Sequence, residues 1–134
     1  MKDNWTLKDK FEDIGLYMYR FKETILNFFE NIRWFIERGR HGFASCDVWN
    51  FDSYLTKIII GGLRELKKYG QTFPPSITDE KWNGILDQMI AGFTAYRILE
   101  NNCLNLSDSE KKLLQGKFKT GMELLGQWYS HLWD

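Results

Sequence analysis

Cysteine, histidine, proline and any surplus of charge are all scarce in this chain of 134 residues. The two cysteines, Cys46 and Cys103, form no C-x-x-C pair and no Cys/His spacing suited to zinc. One disulfide between them stays open, but two thiols do not make the framework of a small secreted domain. Neither His41 nor His131 follows a glutamate by three positions, which excludes a Glu-x-x-His di-iron bundle. Lys plus Arg and Asp plus Glu both total 18, so the net charge is zero. A nucleic-acid coat or a polybasic membrane binder needs an excess of cations. Residues 1–70 carry only 12 cations against 10 anions, so a nucleic-acid role is disfavoured. No apolar run nears the roughly 18–20 residues that span a bilayer, the densest being Ile58-Ile59-Ile60. Met1-Lys2-Asp3-Asn4-Trp5 lacks the layout of a signal peptide. A cytoplasmic protein is expected.

Aromatic residues, by contrast, are abundant. Six Trp, six Tyr and ten Phe within a 43% hydrophobic composition exclude intrinsic disorder. The length suits one domain, 1–134. Phe21, Ile25, Phe28, Ile32 and Phe35 recur at steps of four and three, predicting a helix that ends near Arg38 with Gly39 and Gly42 as stop signals. Its start lies near Leu16 or at Phe21, which leaves room for an N-terminal arm or an extra short helix. A second helix opens at Ser45 or Asp47, shares Val48, Leu55, Ile59, Gly62, Leu66 and Tyr69 on one face, and closes at Gly70. The adjacent Gly61 and Gly62 point to a close crossing or a kink.

After a Pro74-Pro75 loop, Thr78-Asp79-Glu80 starts a third helix whose stripe is Trp82, Leu86, Met89 and Phe93, with Ile85 and Ile90 widening it. Asn101-Asn102 stops it. A fourth begins with the capping box Ser107 to Glu110 and runs towards Leu132. No segment sustains period-two alternation. The expected fold is all-α, a four-helix-bundle-like single domain. Its core is predicted at Phe28, Ile32, Leu55, Ile59, Leu86, Phe93, Phe118 and Leu125.

The richest chemistry lies between Arg38 and Asp52. Arg38, Arg40 and His41 sit where a helix C-terminus favours cations, and Asp47 where a helix start favours an anion. That account is purely structural. The alternative is a pocket for a nucleotide-like ligand, with Arg38, Arg40 and His41 for phosphate, Asp47 and Asp52 as carboxylates, and Trp49 for a base. Asp52 falls on the apolar stripe of the second helix, where a buried carboxylate needs a cation, so Arg33 or Arg40 is its expected partner. Asp79, Glu80 and Asp87 invite comparison with metal-dependent all-α nucleotide hydrolases. Their carboxylate set is incomplete, and a solvated face explains it better. There is no G-x-S-x-G elbow and no phosphate-binding G-x-x-x-x-G-K-[ST] loop. No catalytic set, cofactor or metal site is assembled, and the many aromatics favour a homo-oligomer.

Three stretches are distinctive together: Asp47-Val48-Trp49-Asn50-Phe51-Asp52, the Trp82…Ile85-Leu86-Asp87…Met89-Ile90…Phe93 helix, and Leu132-Trp133-Asp134. In this combination the chain resembles a group of small helical proteins encoded by bacteriophages and prophages. The likeness covers residues from about 30 to 134 and brings no catalytic residues with it. It implies a phage accessory protein acting in the cytoplasm of a bacterial host. Three alanines beside eleven isoleucines and eight asparagines fit an AT-rich genome. The expected function is stoichiometric binding, as an anti-defence protein that sequesters a nucleotide-like signal or blocks a host protein. A metal-dependent nucleotide hydrolase and a purely protein–protein or structural role are the alternatives.

Overall fold

The computed structural model describes residues 7–70, 73–102 and 104–132, with side chains from Ile14 onward. Trp5, Cys103, Trp133 and Asp134 lie outside the described residues. Among the described residues the fold is all-α, with four long helices: α1 (Leu7–His41), α2 (Phe51–Tyr69), α3 (Asp79–Asn102) and α4 (Asp108–Trp128). Short 3-10 turns occupy Ser45–Val48 and Tyr129–His131. The chain falls into two compact units, residues 1–49 and 50–134.

In the first unit α1 is one helix of 35 residues, so the segment before Phe21 is neither an arm from Leu7 onward nor a separate short helix. It also runs past Arg38. An isolated glycine such as Gly39 weakens a helix by about 1 kcal/mol without ending it. Gly42 does end it, at φ 80, with its N–H donated to the Arg38 carbonyl at 2.9 Å. That left-handed backbone is open to glycine and strained for other residues. The predicted stripe is a true face of the helix, but it is not core. Phe28 is 60% exposed and Ile32 40% exposed.

In the second unit three antiparallel helices pack in sequence, α2 on α3 and α3 on α4. The stripe of α3 is buried as its spacing predicts, with Trp82, Ile85, Leu86, Met89 and Phe93 all inside. Leu86 and Met89 are the largest fully enclosed side chains. Leu63 joins them from α2, and Leu124, Leu125 and Trp128 pack on from α4. Trp82 meets Trp128 edge to face at 5.7 Å, and Phe93 meets Phe118 at the same separation. The capping box at the start of α4 is formed. Ser107 Oγ accepts from the Glu110 N–H at 3.3 Å, and Glu110 Oε2 accepts from the Ser107 N–H at 2.8 Å.

Two expectations for α2 need correction. Its buried positions are Thr56, Ile60 and Leu63, one residue out of phase with the predicted stripe, and Leu55 is 40% exposed. The run Ile58-Ile59-Ile60 places apolar side chains on several faces, so periodicity alone does not select the one that packs. The close crossing is also elsewhere. A Cβ on Gly61 or Gly62 would meet nothing within 4 Å, whereas one on Gly92 would lie 2.7 Å from the Gly121 Cα and 2.7 Å from the Lys117 carbonyl oxygen. The reciprocal Cβ on Gly121 would lie 2.9 Å from the Gly92 Cα. These two glycines let the backbones of α3 and α4 touch.

Gly92→Ala should therefore destabilise the protein by about 1–3 kcal/mol, because backbone must move to admit the methyl group. Gly61→Ala should stabilise by about 0.5–1 kcal/mol through helix propensity. Chemical denaturation of the two variants should give opposite shifts in midpoint; shifts of the same sign would contradict a crossing at Gly92.

Candidate functional site

The residues singled out between Arg38 and Asp52 divide between the two units. In the first, Arg38 grips Asp47 with two bonds, Nε to Oδ2 at 2.8 Å and Nη2 to Oδ1 at 2.6 Å. Such fork-to-fork pairing fixes both side chains in one geometry. The Asp47 carboxylate also accepts from the Ala44 N–H at 2.8 Å, tying the start of the 3-10 turn to its third residue. Glu37 reaches across the same corner and accepts from the Ser45 N–H at 2.8 Å and the Ser45 hydroxyl at 3.0 Å. Arg33 pairs with Glu37 at 3.4 Å. Cys46, a free thiol, lies 3.4 Å from Arg38 Nη2. Together these bonds fold the chain back at the end of α1 around the fully buried Ala44.

The charges follow from the bonds. Hydrogen bonding from Arg38, helped by the Ala44 amide, holds Asp47 down at about 2. The Ser45 amide and hydroxyl hold Glu37 below its ordinary value, with Arg33 and His41 adding attraction. Arg40 and His41 are exposed at the end of α1, and Trp49 is 90% exposed. Within the first unit, one pair of the predicted residues is in direct contact. Arg38 and Asp47 are brought together, and they serve each other.

Asp52 belongs to the second unit and is a correction. It is exposed rather than buried, and its partner is neither Arg33 nor Arg40 but the Tyr96 hydroxyl on α3. The phenol donates to the Asp52 carboxylate, which lowers the Asp52 pKa and pushes Tyr96 up to about 12. Tyr96 in turn lies against Phe118 of α4, with ring centres 4.6 Å apart. One carboxylate at the start of α2 is therefore linked through two aromatic rings to α4.

Among the described residues, no group of three or more His, Cys, Asp and Glu side chains is placed to hold a metal ion. Of the acidic residues near the start of α3, Asp87 is bonded to Lys67 at 2.6 Å and Asp79 accepts from Asn83 at 3.0 Å. Among the described residues no helix is long and apolar enough to cross a membrane.

A different feature was not picked out from the sequence. Leu55, Ile59, Gly62 and Leu66 form one wall of a groove of about 580 Å³, and Leu125, Tyr129 and Leu132 form the other, above Leu63. These α2 residues are those the spacing grouped on one face. They do share a face, from which Ile59 and Leu66 pack against the edge of the core while the same face lines an open groove. The available signal was the double apolar surface of α2, since a helix packed on one neighbour needs only one stripe.

No family model matches the chain, and neither the curated proteins nor the solved structures contain a significant match.

Two titrations test this geometry. Carbon-detected NMR should place the Asp47 midpoint at about 2 and, in Arg38→Gln, return it towards the ordinary 3.8. Because the folded value is depressed, the stabilisation it gives is complete above 3.8 and lost as pH falls towards about 2. An unshifted Asp47 would contradict the bidentate pair. Subtracting the ultraviolet titration of Tyr96→Phe from that of the parent should isolate a phenol ionising at about 12, which Asp52→Asn moves back towards 10.0. Here the folded value is raised, so stabilisation holds below pH 10.0 and is lost as pH rises through about 12.

Proposed function

We propose that the protein acts by stoichiometric, non-catalytic binding to a host protein, and that the α2/α4 groove receives an amphipathic helix of that partner. In keeping with the phage likeness, the setting is an infected bacterial cell and the effect is the blocking of a host factor. The observation that carries the reading is the second apolar face of α2, opposed across an open groove by Leu125, Tyr129 and Leu132.

The shape supports a helix as occupant. The α2 wall is built from positions 55, 59, 62 and 66, spaced as one helical face about 16 Å long. Gly62 sits on that wall with open space where its Cβ would be, which lets a partner backbone approach closely. Apolar anchors at i, i+3, i+4 and i+7 on an incoming helix suit such a trough. The nucleotide-sequestering alternative draws less support, because Arg38 is already engaged by Asp47.

Gly62→Leu is an informative variant. It adds volume only to the groove and improves helix propensity by up to about 1 kcal/mol, so it should fold at least as well as the parent. A photo-crosslinking amino acid at position Tyr129, which is 73% exposed, should give a one-to-one protein adduct in the producing cell. The partner so identified, purified, should bind the parent chain with a stoichiometry of one by calorimetry, and Gly62→Leu about tenfold or more weakly. Equal binding by Gly62→Leu would contradict the groove. Intact nucleotide released on heating the purified chain, or multiple-turnover hydrolysis of nucleotide with magnesium, would replace this reading with one of the alternatives.

A further inference from the structure

The longest helix carries an apolar seam of unusual regularity. From Ile14 it continues through Met18, Phe21, Ile25, Phe28, Ile32 and Phe35, in alternating steps of four and three. All seven side chains are exposed, from 40% at Ile25 and Ile32 to 76% at Phe35. These are consecutive a and d positions spanning three seven-residue intervals, from Ile14 to Phe35. A straight α-helix has 3.6 residues per turn, so a strict seven-residue repeat drifts by about 20° per heptad. The seam remains a single contact line only if the helix winds around another helix. We infer that α1 pairs with α1 of a second copy of this chain, forming a coiled coil that makes the protein a dimer.

Area and charge both support a second copy. Phe side chains contribute on the order of 150–250 Å² each. At the exposures observed, the seam with Phe29 and Ile36 beside it offers roughly 800 Å² per copy, about what each partner gives to a stable interface. The positions flanking the seam, which choose partners in coiled coils, carry only two charges, Lys22 and Arg38. Neither parallel nor antiparallel pairing of two identical helices sets these cations against each other. Phe29 and Ile36, at flanking positions, widen the buried strip instead. The opposite face carries Glu23, Glu30 and Glu37 at intervals of seven. That acidic row suits the solvent side of a coiled coil and differs from the Lys/Arg-rich polar face of helices that lie on anionic membranes.

Sedimentation equilibrium on the full chain should give a mass twice 16.0 kDa at micromolar concentration. Ile25→Asp, on the seam, should return it to 16.0 kDa. Leu26→Asp, one residue away and off the seam, should leave the dimer intact. This matched pair separates loss of the interface from loss of the helix. The near-ultraviolet circular dichroism of the Trp82–Trp128 pair should be unchanged in both variants. A monomeric parent, or equal dissociation by Ile25→Asp and Leu26→Asp, would overturn the inference. So would co-sedimentation of a monomeric parent with phosphatidylcholine vesicles, which would assign the seam to a lipid surface. An unchanged dimer in Ile25→Asp would place any self-association elsewhere.

Discussion

The contact between Gly92 and Gly121 sets the geometry of the second unit. With no side chain at either position, α3 and α4 approach until backbone meets backbone. That closeness brings the aromatic pairs on either side into register, Trp82 with Trp128 towards one end and Phe93 with Phe118 towards the other. It also encloses Leu86 and Met89, which lie between these pairs on the buried stripe of α3. A larger residue at the crossing would open the space that these side chains fill.

α2 then joins the platform that α3 and α4 define. α2 packs through Ile60 and Leu63, and it is tied at its ends by Asp52 to Tyr96 and Lys67 to Asp87. The Lys67–Asp87 pair is solvent-exposed and contributes little stability, but it fixes alignment. Three helices in sequence leave two outer ones flanking a trough, and α2 turns its second apolar face into it. The proposed binding role follows from this surplus of apolar surface. It needs no reactive group, only a partner helix that covers the trough.

Legibility in the sequence tracked how many packing neighbours each helix has. α3 lies between α2 and α4, and its stripe of Trp82, Leu86, Met89 and Phe93 was fully readable because burial imposes a strict period. The capping box of α4 was equally legible, since Ser107 and Glu110 satisfy each other locally. On α2, apolar residues occupy more than one face, so the spacing identified a real surface whose Ile59 and Leu66 edge the core while Leu55 is left 40% exposed. The glycine crossing was hidden because Gly92 and Gly121 are separated in sequence, while the adjacent Gly61 and Gly62 drew attention to an open surface. The position of Asp52 on the apolar stripe signals that it needs a partner. Its mate, Tyr96, lies 44 residues away and carries no charge, so charge patterning did not point to it. The spacing places Arg38 and Asp47 each at a helix end, and the turn between them brings the two charges together.

A double-mutant cycle across the crossing measures whether Gly92 and Gly121 share one backbone contact. If Gly92 and Gly121 occupy one contact, the first added methyl group forces α3 and α4 apart and the second enters space already opened. The destabilisation of Gly92→Ala with Gly121→Ala together should then fall short of the sum of the single variants by more than about 0.5 kcal/mol. Additivity within about 0.3–0.5 kcal/mol would show two independent sites and contradict a shared backbone contact.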